Sequence, residues 1–465
     1  MIDANGGSGG PLLNRRRFLA GTAGLAAVAG VCGGTPRPVA ASRRRPNILL
    51  IVTDDQPLGT EWATPSIRGA TFTRAYATTP LCGPSRASIL TGRYAHNHGV
   101  LQNARPQRLD QRTTLPYLLR ERGGYRTAIF GKYLNGWRVR HAPPHFDEYA
   151  IMHPPLYENA RWNVNGTIAT HPAYTTSLIR QQAIDFLRRH RGGSHPWFLY
   201  VAPYAPHEPF LPEAAYADLE VPPWNGNPAV EETDKAGKPA YIRDADGTLE
   251  DGRYIRAAQL RSLRSVDDLF RALWNELAAQ NALDDTLIIV VSDNGYCWAD
   301  HGWTSKSVPY APSTRIPLTI HWPAGGLRPG HRDDRLVANI DIAPTVLDAA
   351  GVAPAAGMDG RSLLRSGDRD GLLLEWWKEG GGQAGHSWAA TVTRHFQYTE
   401  HYDLELDDGR IPEDGGEIVH REYYDLRTDP HQLTNLLHKA TPETWRRLGI
   451  DRLSAQLATA RATPA

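Results

Sequence analysis

The chain has 465 residues, 41% of them hydrophobic, and its 51 basic and 50 acidic side chains give a net charge of +1. A balanced charge provides no global field for nucleic acid or for an anionic membrane surface, so we expect neither as a partner. The length exceeds what one hydrophobic core usually serves, which predicts one large domain and a smaller one. Three cysteines are too few for a disulfide framework.

The first 41 residues have the pattern of an export signal. Three arginines at residues 15–17 precede Phe-Leu and a short apolar run, which ends among small residues. Paired arginines before Phe-Leu resemble the twin-arginine signal of bacteria. The apolar run is too short for a membrane anchor, and Val31 stands where a lipoprotein site at Cys32 wants a small residue. We therefore expect a periplasmic or extracellular protein without a stable membrane anchor.

Strands and helices alternate along most of the remaining chain. Apolar, β-branched runs predict strands, and apolar residues at helical spacing predict helices. The strands are expected at residues 47–52, 125–130, 197–201, 286–291 and 316–321, and the helices at residues 113–122, 174–190, 254–280 and 340–350. This alternation predicts an α/β fold, with a mostly parallel sheet and helices on both faces.

The pattern changes after about residue 365. Residues 388–399 and 417–426 look like strands without long helices between them, which predicts a small antiparallel C-terminal domain. The expected division is a signal segment at 1–41, a catalytic domain at 42–365 and a C-terminal α+β domain at 366–465. Residues 212–252 are rich in Pro, Gly and charge and are expected to form a surface insertion.

Polar side chains follow two of the predicted strands. Asp54 and Asp55 come after the first strand, and Asp293 and Asn294 follow the strand at 286–291. Ligands of parallel α/β sheets bind at the carboxyl ends of the strands. Carboxylate and amide oxygens suit a hard cation such as Ca²⁺. Each pair alone also fits a helix cap or a turn, so the two pairs indicate a cation site without deciding it.

Residues 82–93 form a segment with a specific pattern. As local structure, it predicts a loop that leads into a helix, with Pro84 in the first turn and a buried cysteine. That interpretation explains Pro84 and leaves the rest of the segment unexplained. The segment closely resembles the sulfatase signature, in which Cys, a spacer, Pro or Ala, a spacer and Arg direct oxidation of the cysteine to formylglycine.

The resemblance to the sulfatase family covers nearly the whole mature chain. Further segments that resemble the family occur in the family's order, at residues 47–56, 131–135, 205–207, 293–295, 301–306, 315–318, 359–363 and 424–430. The segment at 132–135 resembles the branch that includes glucosamine-6-sulfatases and arylsulfatases. The resemblance implies an alkaline-phosphatase-like fold, with a large sheet flanked by helices and a smaller C-terminal antiparallel sheet. It implies a sulfuric ester hydrolase.

The same resemblance implies the cofactors. Cys82 would become 3-oxoalanine (formylglycine), made by a formylglycine-generating enzyme. One Ca²⁺ would be held by five residues, which are Asp54, Asp55, Cys82, Asp293 and Asn294. The substrate would be a sulfated small molecule or saccharide, either a sugar, an aryl or an alkyl sulfate.

Catalytic roles also follow from the resemblance. One hydroxyl of the hydrated aldehyde at Cys82 would attack sulfur, and loss of a proton from the second would expel sulfate. Arg86 would steady the hydrate, and Lys132 and Lys306 would hold sulfate oxygens. Either His207 or Lys306 would protonate the leaving alcohol.

Two positions, Leu134 and Ala311, depart from the family's pattern. Ala311 stands where a Glu is common after Tyr310 and is interpreted as structural only. Leu134 stands where many sulfatases carry the histidine base for sulfate elimination, so that base is unassigned, with His96, His98 and His301 as candidates. Cys297 lies close to Asn294, but a hard cation does not favour sulfur. We therefore expect Cys297 to be a partly buried free thiol.

Two alternatives stay open. A phosphate or phosphonate ester hydrolase of the same superfamily would share much of this set of residues. A non-catalytic, exported cation-binding protein is a different class, and the intact segment at residues 82–86 argues against it.

Overall fold

Fourteen strands and ten α-helices run through the residues that the structure, a computed structural model, describes, which are 45–380, 385–412 and 415–462. The export segment at 1–41 and Cys32 lie outside these described residues. The strands are β1 (Asn47–Thr53), β2 (Ala70–Tyr76), β3 (Arg126–Gly131), β4 (Glu148–Met152), β5 (Ala160–Val164), β6 (Thr167–His171), β7 (Trp197–Ala202), β8 (Thr286–Ser292), β9 (Leu318–His321), β10 (Arg332–Ala338), β11 (Leu372–Trp376), β12 (Ser387–Val392), β13 (Phe396–Asp403) and β14 (Glu417–Asp425).

The helices lie between these strands and after the last one. They are α1 (Cys82–Thr91), α2 (Ala95–His98), α3 (Leu115–Gly123), α4 (Thr175–Arg189), α5 (Ala240–Arg243), α6 (Leu249–Ala279), α7 (Ala311–Thr314), α8 (Ile342–Ala350), α9 (Pro442–Leu448) and α10 (Ile450–Ala462). Within the described residues, none of them combines the length and apolar character that a bilayer crossing requires.

Ten strands form one sheet in the order β10-β2-β9-β8-β1-β7-β3-β4-β5-β6. Strands β8, β1, β7, β3 and β4 run parallel to one another, and β10 runs parallel to β2. Strand β9 is antiparallel to both β2 and β8, and β5 and β6 continue the other edge as antiparallel strands. The predicted large, mostly parallel sheet is confirmed.

Helices cover both faces of this sheet. Strand β1 shows why, because its successive side chains point to opposite faces and six of its seven residues are buried. Leu50 packs into a cluster with apolar residues of α1, α3 and α8, whereas Leu49 and Ile51 pack with α4 and α6. A strand that is buried on both faces reads as a continuous apolar run, as β1 does in the sequence.

The C-terminal sheet is antiparallel, in the order β11-β12-β13-β14, and confirms that prediction. The single strand predicted at 388–399 is wrong, because β12 ends at Val392 and β13 begins at Phe396. Between them, the Thr393 hydroxyl accepts hydrogen bonds from the backbone N–H groups of His395 and Phe396, which closes a turn. The domain boundary at residue 365 stays a prediction.

The insertion at 212–252 is not wholly on the surface. Lys238 and Ile242 are buried, with 1% and 0% of their surface exposed. Its last residues belong to α6, which begins at Leu249 after a capping box formed by Thr248 and Asp251. The insertion therefore contributes to the packing around the loops at one end of the sheet.

Candidate active site

Four neighbouring parallel strands end at the same edge of the large sheet. Asp54 and Asp55 follow β1, Lys132 follows β3, and Asp293 follows β8. Strand β7 lies between β1 and β3 and leads into the loop that carries His207. The structure thus brings together side chains that lie more than 200 residues apart in the chain, as the strand-end argument predicts.

Cys82 is the first residue of α1 and points into this edge. Its Sγ lies 3.2 Å from Asp54 Oδ1 and 3.6 Å from Asp55 Oδ1, and it accepts a hydrogen bond of 2.9 Å from Lys306 Nζ. The side chain is almost wholly buried. Burial and the nearby Asp54 raise the pKa of the thiol well above its usual value, although Lys132 and Lys306 oppose the shift.

The residues present fit a hard cation. Asp54, Asp55, Cys82 and His207 each offer one ligand atom, and these atoms lie within 4.8 Å of one another. Within the described residues, Asp55 Oδ2 and Asn294 Oδ1 are buried oxygens without a hydrogen-bond partner. Leaving such atoms unsatisfied is costly, and a cation would satisfy both. Carboxylate and amide oxygens are ligands that Ca²⁺ accepts.

Asp293 is held by donors from the protein itself. Its Oδ1 accepts the backbone N–H of Asp55 at 3.0 Å, and its Oδ2 accepts Arg86 Nε at 2.8 Å. Burial raises its pKa to about 6. The group of four potential ligands contains His207, for which the sequence predicts proton donation, in place of Asp293. A ligand role for Asp293 stays a prediction.

Three cationic side chains surround the acids. Arg86, with a fully buried side chain, donates to Asp293, donates from Nη1 to the Lys132 carbonyl at 3.1 Å, and lies 3.5 Å from Asp54 Oδ2. Lys132 Nζ donates to Asp54 Oδ2 at 2.5 Å, and Lys306 Nζ donates to an oxygen of Asp55. Burial raises the pKa of Asp54, but Lys132 and its cationic neighbours outweigh burial and hold the pKa below its usual range. Together these three side chains give the site positive charge that can attract an anionic ligand.

His207 stands at the open side of the site. Its Nδ1 lies 2.7 Å from the Glu208 carbonyl oxygen, so Nδ1 carries a proton and donates it there. Its Nε2 lies 3.6 Å from Asp55 Oδ2, and 25% of the side chain is exposed. The ring stacks on Tyr204, with 4.7 Å between centroids. Burial lowers the pKa of His207, while Asp55 opposes the shift. Nε2 is therefore the atom that can exchange a proton with a ligand.

The three other candidate histidines have partners elsewhere. His96 Nδ1 lies 2.8 Å from Glu375 Oε1, and His301 Nδ1 lies 2.6 Å from Glu232 Oε2. His98 is buried, and burial lowers its pKa to about 3. The same cause lowers the pKa of His301 to about 3. His98 and His301 are therefore weak bases, and His96 is paired with Glu375. The base for sulfate elimination stays unassigned.

Leu134 and Cys297 both lie in the hydrophobic interior. Leu134 is 3% exposed and packs in the core on one face of the large sheet. Cys297 is a free thiol, as predicted, but it is wholly buried, beside Tyr310 and Tyr424. Burial raises the pKa of this thiol well above its usual value.

Two supporting contacts were not predicted from the sequence. Asn103 Oδ1 accepts the backbone N–H of Gly83 at 2.8 Å and so fixes the start of α1. Trp388 Nε1, on β12, donates to the carbonyl of Ser307 at 2.9 Å. Neither residue belongs to a motif, and a contact between residues 81 positions apart leaves no local signal in the sequence.

A buried carboxylate supports the loop behind Lys306. Glu422, on β14, is wholly buried and accepts the Tyr310 hydroxyl at 3.0 Å. It also accepts the Tyr424 hydroxyl and pairs with His401 Nε2 at 2.8 Å. The C-terminal sheet therefore holds the segment that carries one of the site lysines.

An edge that combines buried acids, three cations and a buried cysteine is suited to binding an anionic ester. Residues 46–352 match the family profile Sulfatase, and residues 299–459 match the profile N-sulphoglucosamine sulphohydrolase, C-terminal. N-acetylglucosamine-6-sulfatase of Capra hircus is 31% identical over 464 residues, which cover 87% of this chain and 82% of that protein. The chain belongs to the sulfatase family, in the glucosamine-6-sulfatase branch, and is a sulfuric ester hydrolase.

Solved structures share the fold. One is a protein in complex with its substrate D-glucosamine-2-N,6-O-disulfate, with a TM-score of 0.76 and 22% identity over 90% of this chain and 98% of that chain. Another is a phosphonate monoester hydrolase of Agrobacterium radiobacter, with a TM-score of 0.66 and 24% identity over 90% of this chain and 96% of that chain. The alkaline-phosphatase-like fold predicted from the sequence is confirmed.

Proposed function

We propose that this protein removes sulfate from a sulfated saccharide, with a formylglycine made from Cys82 and one bound Ca²⁺. The observation that carries the proposal is the position of Cys82, whose Sγ contacts Asp54 Oδ1 at 3.2 Å and Lys306 Nζ at 2.9 Å. The residue that would be modified thus lies between proposed cation ligands and a cation. A saccharide is favoured because a relative that matches most of the chain is named N-acetylglucosamine-6-sulfatase.

The two cofactors would supply a nucleophile and a positive charge that unmodified side chains do not provide. The hydrated aldehyde would supply one hydroxyl as the nucleophile. Its second hydroxyl would lose a proton, which would expel sulfate and complete turnover. Ca²⁺ supplies concentrated positive charge beside the reacting sulfuryl group. The residues that would hold the ion are Asp54, Asp55, residue 82, Asp293 and Asn294. The unpartnered oxygens of Asp55 and Asn294 support this assignment, and so does the position of Asp54 and Cys82 within one group of potential ligands.

The side chains around the ion have separate tasks. Lys132 and Lys306 bind sulfate oxygens, and preorganised cations in a buried site stabilise charge more than they do in water. Arg86 fixes Asp293 and approaches Asp54 at 3.5 Å, which holds the acids in place against the start of α1.

His207 is the proposed proton donor to the leaving alcohol. The hydrogen bond from Nδ1 to the Glu208 carbonyl fixes the ring and leaves Nε2 facing the site, so the proton for the alcohol would come from Nε2 of the doubly protonated imidazolium. A quarter of the side chain is exposed, so a sugar oxygen can reach it. Lys306, the other candidate, is engaged by Asp55 and Cys82.

The first test is the mass of the tryptic peptide that contains residue 82, together with turnover of nitrophenyl sulfate. We expect the aldehyde or its hydrate in place of the thiol when the protein is made with a formylglycine-generating enzyme. Cys82→Ala should abolish turnover, and Cys82→Ser should lose nearly as much, because one hydroxyl cannot complete the cycle. Full activity of a protein with unmodified Cys82 would exclude the mechanism.

The same assay separates the second candidate function. A phosphonate or phosphate ester hydrolase is favoured by one observation, the shared fold of the Agrobacterium radiobacter enzyme. Nitrophenyl sulfate, nitrophenyl phosphate and a nitrophenyl phosphonate should be compared at equal concentration. A higher kcat/KM for the sulfate supports the first proposal, and a higher value for a phosphorus ester supports the second.

Export by the twin-arginine route completes the proposal. Its support is the arginine and apolar pattern of residues 1–41, which lie outside the described residues. Replacing the arginines at 15–17 by lysine should retain the protein in the cytoplasm of a bacterial host. Unchanged export of that variant would contradict the route.

A further inference from the structure

A cleft of about 340 Å³ lies where the large sheet meets the C-terminal sheet. Its walls include Arg74 and Tyr76 of β2, Arg315, and Thr393 and Arg394 from the turn between β12 and β13. None of these residues is among the candidate active-site residues. The volume is within the range of small-molecule sites, which is about 300–1,000 Å³.

Three arginines line the cleft, and two of them lack an acidic partner. Arg394 is neutralised by Asp368 at 2.6 Å and Asp334 at 3.2 Å. Within the part of the chain that the structure describes, neither Arg74 nor Arg315 has a carboxylate oxygen within 4.0 Å of its nitrogens. The cleft therefore carries two positive charges that the protein does not neutralise.

The contacts that these two arginines do make are with neutral carbonyl oxygens. Arg315 Nη2 donates to the Thr73 carbonyl at 2.6 Å, and Arg74 Nη1 approaches the Arg394 carbonyl at 3.5 Å. Arg315 Nε is buried and has no hydrogen-bond partner in the described residues. A buried donor without an acceptor is destabilising, and an oxyanion in the cleft would satisfy it.

Tyr76 lines the cleft together with both arginines. Burial raises the pKa of its hydroxyl, and Arg315 and Arg74 oppose the shift. A guanidinium group presents its donors in a planar fork that matches carboxylate and sulfate oxygens. Two such forks with a nearby hydroxyl form a set of donors suited to one tetrahedral or planar oxyanion.

The cleft shares no lining residue with the candidate active site. Trp388, near the start of β12, donates to Ser307, the neighbour of Lys306. Thr393 follows the other end of the same strand, five residues further on. At about 3.3 Å per residue, the strand places these two positions about 16 Å apart.

We propose that this cleft is a second anion-binding site, which holds a sulfate or carboxylate group between Arg74 and Arg315. Two sources share that chemistry: free inorganic sulfate, and a sulfate or uronate group carried by a saccharide. The proposal does not depend on formylglycine or on Ca²⁺, because no residue of the cleft takes part in either.

Calorimetric titration at low ionic strength tests the site. Inorganic sulfate is titrated into the mature protein, and a sulfated disaccharide into Cys82→Ala protein, so that no turnover occurs. The unsulfated, uncharged disaccharide is the blank. The key variant is Arg74→Gln, since Arg74 makes only one long contact with the protein, and Arg122→Gln is the matched control, an exposed arginine on α3.

We expect two anion sites per chain in the parent and in Arg122→Gln. In Arg74→Gln one of them should weaken about tenfold or more, the size of a charge-assisted hydrogen bond. Arg315→Lys, which keeps the charge and loses the fork, should fall between the two. Turnover of nitrophenyl sulfate should stay unchanged in Arg74→Gln.

Each outcome decides the proposal. Tighter binding of the disaccharide than of sulfate at the Arg74-dependent site identifies a saccharide ligand, and equal binding identifies the free ion; both support the site. Titrations of Arg74→Gln and Arg315→Lys that match Arg122→Gln would overturn it. A loss of kcat in Arg74→Gln would overturn the claim that the cleft is separate from the active site.

Discussion

The charge of Glu422 should contribute measurable stability, and the substitution Glu422→Gln tests how much. Burial raises the pKa of this carboxyl, but the hydrogen bond with His401 and the charge of Lys238 outweigh burial and lower the pKa from 4.5 to about 2. Each pKa unit corresponds to about 1.4 kcal/mol, so the charged form adds about 3 kcal/mol to the free energy of unfolding at pH 7. Glutamine keeps the shape and can still accept both tyrosine hydroxyls, so the loss should be mainly electrostatic.

The dependence on pH has a definite sign. Because the pKa is lowered in the folded state, the stabilisation is fully present above pH 4.5 and is lost as the pH falls toward 2. The difference in unfolding free energy between the parent and Glu422→Gln should therefore shrink from about 3 kcal/mol at pH 7 to about half of that near pH 3.

Urea unfolding followed by tryptophan fluorescence at several pH values measures this difference. Glu417→Gln is the matched control, since Glu417 is exposed on the same strand, and it should match the parent at each pH. A difference for Glu422→Gln that does not change with pH, or an equal effect in Glu417→Gln, would refute the electrostatic reasoning.

Three further predictions concern the ion, the proton donor and a second buried acid. Asp54→Ala should abolish activity. A chelator should lower the Tm of the parent, because a ligand at 100-fold excess over its Kd adds about 2.7 kcal/mol to the free energy of unfolding. An unchanged Tm would count against the ion site. The turnover rate of His207→Ala should fall about 10²–10⁴-fold on a sugar sulfate but much less on nitrophenyl sulfate. Lys306→Ala should slow turnover of both substrates alike. The reverse pattern would exchange the roles of the two residues. Burial raises the pKa of Glu232 to about 7, against the effect of Lys238, so its charge destabilises the fold as the pH rises from 4.5 to 7. The Tm of Glu232→Gln should therefore gain on the parent between pH 5 and pH 8, and a constant difference would contradict this.

The sequence predicts those parts of the fold in which local pattern and burial agree. Strands β7 and β8 are buried along their whole length, and β1 is buried in all but its first residue, so the three read as largely apolar runs. Asp54 and Asp293 directly follow two of them, so the edge of a parallel sheet brings the acids together without any knowledge of the loops.

The sequence does not predict elements whose apolar and polar residues follow no clear period. Strands β5 and β6 form a hairpin at the edge of the sheet, and β6 is exposed throughout, so no apolar face marks it. The β12–β13 turn is set by the side chain of Thr393, which a strand-rich window hides. The contact between Glu422 and Tyr310 joins residues 112 positions apart, and only the folded chain selects that pair.

The burial of Cys82 limits the time in which the proposed modification could occur. The residue is 1% exposed in the folded chain, and α1 packs against a sheet that includes β8, which ends at Ser292. If Cys82 is oxidised as proposed, the burial of its side chain favours oxidation before that strand is in place. At about 5–20 residues per second, synthesis of the intervening chain takes about 10–40 s. On the proposed mechanism, a cell in which the modifying enzyme is scarce would therefore hold folded protein whose residue 82 is still a buried thiol.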